Sequence, residues 1–330
     1  MRISIVLSVA VVACTSSSWS PPLDRSLLVM TGSDGHLLTI RGDGTDLAVL
    51  PPSGGMPSWT PDGRIIFVSN EVDPPQIVIA DEDGGNPQQI GNLQLAQGNP
   101  IAKPQLAAGL VVFSDVEGMP TETDDNPGPQ NGTWLMHDDG TGLTELAPYC
   151  TAAFLSASGT FVTCTMERPG DTDREIWRID TDGSGLMQLT FPDDADYPDG
   201  NASNISPDET TVALFSGKES EFGLAGYTQS TLTWGHRNVA TIPATGGART
   251  TITSCAPVTT QAQQDALPDD ACIAADNPAW TPDGRALIYD RGSPHPDADG
   301  TWLIDLDGAH DQPLYSATRG AGNVPMKYLP

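Results

Sequence analysis

The chain has 330 residues, 38% of them hydrophobic and only 6% aromatic, with 34 Gly and 29 Pro, a composition that can bury a large core and points to many short strands joined by tight turns. Its 43 acidic against 15 basic residues give a formal net charge of -28, which excludes nucleic acid as a partner because a polyanion would be repelled over the whole surface. Part of the acidity has a local cause, since ten Asp-Gly pairs stand at turn positions where Asp is favoured by geometry.

In chain order, Met1-Arg2 precede an apolar stretch from Ile3 to Ala13, too short to span a bilayer as a helix and shaped like a secretory signal over residues 1–13. It closes in Val11-Val12-Ala13-Cys14, and small apolar residues directly before a cysteine resemble the lipobox of bacterial lipoproteins. The resemblance implies lipidation of Cys14 and an exported protein held to the outer face of a bacterial membrane, in the periplasm or at the cell surface, through a lipid anchor alone. An ordinary signal peptide cut nearby is the other reading. Residues 14–25 are Ser- and Pro-rich, a tether of at most roughly 35–40 Å. Residues 26–330 then read as one domain of strands.

The organising unit is Pro57-Ser58-Trp59-Thr60-Pro61-Asp62-Gly63, followed by Ile65-Ile66-Phe67-Val68 and then Ile77-Val78-Ile79-Ala80-Asp81-Glu82-Asp83-Gly84. It returns as Pro278-Ala279-Trp280-Thr281-Pro282-Asp283-Gly284, Ala286-Leu287-Ile288-Tyr289 and Trp302-Leu303-Ile304-Asp305-Leu306-Asp307-Gly308. Turn chemistry and β-rich runs repeated at long range mark a repeat architecture. Weaker copies keep the same order: Val111-Val112-Phe113 with Trp134 to Gly140, Thr160 to Cys164 with Ile176 to Gly183, and Ile205-Ser206-Pro207-Asp208 with Val212 to Phe215 and Val239 to Ile242. Leu27 to Leu50 supplies three strands without a first one, and Val324 to Leu329 a first strand without its successors. Joined, the two chain ends complete a sixth unit and remove the exposed edges of an open array.

These units resemble the repeats of TolB-like six-bladed β-propellers, most specifically in the Trp59 and Trp280 copies. The resemblance implies an all-β fold: a six-bladed β-propeller of four-stranded antiparallel blades, its ring closed by the C-terminal strand joining the N-terminal blade. It implies much less about activity, which belongs to a site rather than a scaffold.

Cysteine usage agrees with export. Apart from Cys14, the chain has Cys150, Cys164, Cys255 and Cys272, an even number for an oxidising compartment. Cys150 and Cys164 flank the turn Ser156-Ala157-Ser158-Gly159 almost symmetrically, and Cys255 and Cys272 bracket an acidic loop, so neighbours are expected to pair. No pair has the spacing of a zinc site.

The search for a catalytic set finds no G-x-S-x-G elbow beyond the turn Gly183-Ser184-Gly185, no H-E-x-x-H, and five histidines in different units. Two acidic stretches remain. Asp194, Asp196, Asp199 and Asn201 offer hard oxygen ligands for Ca²⁺, and Asp297 and Asp299 with Asp290 and His295 form a second set. No other cofactor is expected. The long loops fall at one end of the blades, and with Phe222, Tyr227, Trp234, His295, Asp297 and Asp299 they define the expected binding face. The favoured function is a non-catalytic binding or scaffold module for a protein or glycan at the cell envelope. The alternative is a metal-dependent, lactonase-like hydrolase or lyase at the channel mouth.

Overall fold

The structure, a computed structural model, describes residues 23–32, 34–71, 73–93, 101–115, 132–166, 175–191, 204–217, 237–256, 258, 261–294, 300–315 and 326–328. The strands are β1 (Ser26–Thr31), β2 (His36–Arg41), β3 (Ala48–Trp59), β4 (Ile65–Ser69), β5 (Gln76–Ala80), β6 (Gln88–Gln89), β7 (Ile101–Ala107), β8 (Leu110–Asp115), β9 (Gly132–His137), β10 (Thr144–Pro148), β11 (Cys150–Leu155), β12 (Phe161–Met166), β13 (Glu175–Asp180), β14 (Met187–Gln188), β15 (Asn204–Ile205), β16 (Thr211–Gly217), β17 (Arg237–Pro243), β18 (Thr250–Thr251), β19 (Ala274–Trp280), β20 (Ala286–Gly292), β21 (Gly300–Asp305), β22 (Asp311–Tyr315) and β23 (Met326–Tyr328). One short helix, α1 (Gln261–Asp265), lies inside the Cys255–Cys272 loop.

Four sheets are four-stranded, β7 to β10, β11 to β14, β15 to β18 and β19 to β22, and every pairing is antiparallel between consecutive strands. The middle strands carry apolar runs rather than alternation, as in Ile65-Ile66-Phe67-Val68, and β4, β5 and β12 are buried along their whole length. Such runs are what a sheet covered on both faces requires. The architecture is an all-β propeller with four-stranded antiparallel blades.

The count of hydrogen-bonded sheets corrects the sequence reading, which expects six. Among the described residues there are five, because one sheet has seven strands in the order β23-β1-β2-β3-β4-β5-β6. The cause lies in β3, which runs through the expected end of one unit at Leu50 into the next unit, led by Pro57 to Gly63. Its first part pairs with β2 through Ala48, Val49 and Ser53, and its second with β4 through Gly54, Gly55, Ser58 and Trp59. The chain passes from one pairing to the next without a loop because Gly54 sits where a Cβ would collide with the Val68 carbonyl and the Phe67 ring.

Six hydrophobic clusters fill the spaces between strand groups. Ile66, Ile79, Phe113 and Met136 join the β4–β5 and β8–β9 faces, while Leu28, Ile40, Ile288, Leu303 and Met326 join β1 and β2 to β20 and β21. Side-chain hydrogen bonds reinforce the stacking: the Leu155 N–H donates to Gln105 Oε1 (2.9 Å), the Ala153 N–H to Ser114 Oγ (3.3 Å), and Trp280 Nε1 to Asn204 O (3.0 Å). At the N-terminal side β23 pairs with β1, placing Ser26 opposite Tyr328 and Leu28 opposite Met326.

Both expected disulfides are present, Cys150–Cys164 between adjacent strands β11 and β12 with Cα atoms 5.6 Å apart, and Cys255–Cys272 with Cα atoms 4.5 Å apart. Among the described residues no helix is long and apolar enough to cross a membrane.

Candidate functional site at the blade ends

Antiparallel pairing sends all first-to-second and third-to-fourth strand turns to one end of the blades. Those turns are short and closed by their own side chains. In the third-to-fourth turns one Asp accepts from the N–H two residues on: Asp43 from Thr45 (3.0 Å), Asp83 from Gly85 (2.8 Å), Asp139 from Thr141 (2.9 Å), Asp182 from Ser184 (2.9 Å) and Asp307 from Ala309 (3.0 Å). The hydroxyls of Thr45, Thr141 and Ser184, donating to Asp43, Asp139 and Asp182, hold those carboxyls below the usual carboxylate range.

The first and sixth positions of these turns form a clasp. Arg41 Nε meets Asp46 Oδ2 at 2.5 Å, Asn86 Nδ2 donates to Asp81 Oδ2 at 2.7 Å, and His310 Nδ1 lies 2.5 Å from Asp305 Oδ2. Where the sixth residue is glycine, the first closes over it: a Cβ on Gly142 would meet the His137 ring at 2.8 Å, and one on Gly185 would meet the Asp180 carboxylate. Asp305, Asp307 and His310 bring potential ligand atoms within 4.8 Å of one another, a cluster that sequence reading missed. Its geometry is the same turn clasp, with His310 in the place of Asn86.

At the other end the sequence-expected residues Asp194, Asp196, Asp199, Asn201, Phe222, Tyr227, Trp234, His295, Asp297 and Asp299 lie outside the described residues, as does Cys14. Described at that end are the strand ends themselves. Asp276 and Asp290 stand directly opposite each other on β19 and β20. Arg237, the first residue of β17, donates from Nη1 to Asp276 Oδ1 at 3.1 Å and stacks 5.3 Å from the centre of the Phe215 ring. Asn277 Nδ2 donates to Asp290 Oδ2 at 3.1 Å, and Thr301 Oγ1 lies 3.5 Å from Asp290 Oδ1.

The two carboxylates are therefore unequal. Asp276 is buried but compensated by a guanidinium. Burial, reinforced by the charge of Asp276 and opposed by the hydrogen bonds from Asn277 and Thr301, pushes the Asp290 carboxyl up to about 7. A pair of acids driven apart in this way can hold and exchange a proton near neutrality. Asp290 was legible as an acidic residue near His295; its partners Arg237, Asp276 and Asn277 carried no motif and meet only through strand pairing.

Asn277 sits at a β-bulge with φ 50°, and Met56, Lys103 and Ala152 occupy the equivalent bulges of β3, β7 and β11 with φ 53°, 49° and 51°. These first strands are the ones that line a propeller's central channel. Lys103 places its ammonium 5.5 Å from the Phe154 ring centre, its N–H donates to Met56 Sδ at 3.3 Å, and burial pushes its pKa down to about 8.

Blade pairing and face-to-face packing define a β-propeller. Among solved structures the chain is similar to TolB from Acinetobacter baumannii (TM-score 0.63, 16% identity, 92% of this chain and 67% of that one). It is also similar to a putative TolB from Agrobacterium tumefaciens (0.58, 14%, 93% and 99%) and to a chain of a nidogen/laminin complex (0.55, 12%, 91% and 97%). At these identities the likeness is one of fold. No protein-family model matches the sequence, and no curated protein matches it.

Proposed function

We propose that this chain is an exported, lipid-anchored β-propeller that acts at the cell envelope as a non-catalytic binding or scaffold module for a protein or glycan. The observation that carries the reading is the contrast between the two ends. One end is spent on short turns that satisfy their own polar groups; the strand ends at the other hold Arg237, Asp276 and Asp290, and the sequence joining those ends runs in long connections. Long loops on a rigid scaffold are where recognition residues concentrate. TolB and a nidogen/laminin complex among the similar folds agree with a protein partner.

Closure of the ring is supported by β23 on β1. Two disulfides support an oxidising compartment. The lipid anchor rests on Val11-Val12-Ala13-Cys14, and Cys14→Ser is expected to move the protein from the membrane fraction to the soluble one. If the variant stays with membranes, the anchor lies elsewhere. The Gly42 N–H donates to Ser26 O at 3.2 Å, which supports a tether entering at the short-turn end with the loop face away from the membrane.

Capture of partners from envelope extracts tests the binding face: replacing residues 218–235 with a two-residue Asn-Gly turn is expected to abolish capture. A second reading, the metal-dependent hydrolase or lyase with Asp194, Asp196, Asp199 and Asn201 as Ca²⁺ ligands, draws on the unequal Asp276 and Asp290 pair. Metal analysis of purified protein followed by a lactone and oligosaccharide hydrolysis screen decides it; stoichiometric metal with turnover would favour the enzyme.

A further inference from the structure

We propose that the Cys255–Cys272 disulfide is a redox latch: reduction by an external dithiol releases the loop it closes, while the blades stay folded. The loop leaves β18 and enters β19, at the strand ends that hold Arg237, Asp276 and Asp290. It carries α1, a helix of 5 residues. Isolated helices are marginal in water even at about 12 to 15 residues, and a short one is normally held by an apolar face packed on the core. Here that face is missing. Ala262, Gln263, Asp265 and Ala266 are exposed, and among the described residues between the two cysteines only Val258 is buried. Three hydrogen bonds seat the loop: Gln264 Nε2 donates to Pro294 O (2.8 Å), Arg291 Nη2 to Asp270 O (2.5 Å) and the Ala256 N–H to Cys272 O (2.7 Å). The same seat buries Gln264 Oε1 and Arg291 Nε with no hydrogen-bond partner, so opening it returns two unmatched polar atoms to water. The loop therefore owes its order chiefly to the covalent bridge.

The two disulfides differ in access. Cys150 and Cys164 are both fully buried, inside a cluster with Ala153, Val162 and Trp177, so a reductant reaches them only when the sheets come apart. Cys255 is packed in the core beside Val239 and Trp280, but Cys272 is partly exposed, and accessible disulfides are the labile ones. A thiolate of the external dithiol attacks the Cys272 sulfur, forming a mixed disulfide and expelling Cys255 as a thiolate that takes up a proton. The reductant's second thiol then displaces Cys272, which leaves as a thiol, and the reductant closes its own disulfide. Two electrons and two protons pass from the dithiol to the bridge. The bearing of this latch on partner binding rests on the loop-face reading; release of the loop does not, and the experiment reads release alone.

The test treats the full chain, under native conditions, with graded dithiothreitol, traps free thiols with iodoacetamide and maps them by mass. In parallel, a protease that cuts before aspartate probes the loop at Asp265, Asp269 and Asp270, with circular dichroism following the sheets. Cys255 and Cys272 are expected to be labelled at least about tenfold faster than Cys150 and Cys164, and the three loop cuts to speed up by a similar factor while the β signal stays unchanged. Cys255→Ser with Cys272→Ser should show the fast cuts without reductant. Reduction of Cys150 and Cys164 first, or of all four cysteines together with loss of the β signal, overturns the proposal. So does a loop that stays as protease-resistant after its bridge is reduced as before.

Discussion

Asp290 shows how one residue's environment sets a measurable property of the whole protein. Its folded pKa of about 7 lies above the ordinary carboxylate value, so between about pH 4 and 7 the folded state holds a proton that the unfolded state has released. Stability therefore falls as pH rises through that window and levels off above it. Asp290→Asn removes the titration: the variant is expected to melt higher than the native protein at pH 8, by the equivalent of roughly 2 to 4 kcal/mol, by a smaller margin at pH 5, and almost equally near pH 4. Thermal melts across that range check it, and a native curve that is flat from pH 5 to 8 would contradict the burial argument. Gly54 makes a second prediction at this scale. A Cβ there meets the Val68 carbonyl and the Phe67 ring, so Gly54→Ala is expected to destabilise by about 1 to 3 kcal/mol in denaturant unfolding, the range for overpacking a filled site.

At the scale of elements, the disulfides and the turns do different work. The Cys150–Cys164 bridge ties neighbouring strands β11 and β12 and sits in a cluster with Val162, Met166 and Trp177. Closing a loop of about 15 residues contributes about 3 kcal/mol in the chain-entropy model, so Cys150→Ser with Cys164→Ser should lower stability by roughly that amount. Non-reducing peptide mapping of the native protein should recover the two local cross-links, and a Cys150–Cys272 peptide would overturn the strand assignment. These elements were legible because the information was local: Trp-Thr-Pro-Asp-Gly turns, apolar runs and Asp-x-Asp-Gly turns all act within a few residues. The merger of two expected strands into β3 was not legible, since it depends on how close Gly54 comes to a neighbouring strand. The Arg237–Asp276 pair was hidden for the same reason, its members being 39 residues apart in the chain. The turn clasp lay between the two: Asp81 with Asn86 and Asp305 with His310 are visible as a spacing, but only the geometry shows that His310 closes a turn onto Asp305 as Asn86 does onto Asp81.

At the scale of the whole molecule, the pairing of β23 with β1 ties the two chain ends into one sheet. β23 contributes only Met326 to Tyr328 to its sheet, yet Met326 is buried among Leu28, Ile40, Ile288 and Leu303. Deleting residues 322–330 should therefore cost several kcal/mol, since a buried methionine alone is worth roughly 2 to 5 kcal/mol, and a truncated protein melting within about a degree of the full chain would reduce β23 to a frayed tail. Such a result would leave the blades intact but remove the support for a closed ring.

The central claim concerns the open end, and partner capture with the 218–235 loop replaced by Asn-Gly addresses it most directly. Because the replacement spares the described blades, the variant should keep the native melting temperature. The account predicts that this folded variant no longer captures its envelope partner, while Asp43→Asn with Asp182→Asn at the opposite end still does. Undiminished capture by the loop variant, with loss in the aspartate variant, would show that the working face is the other one.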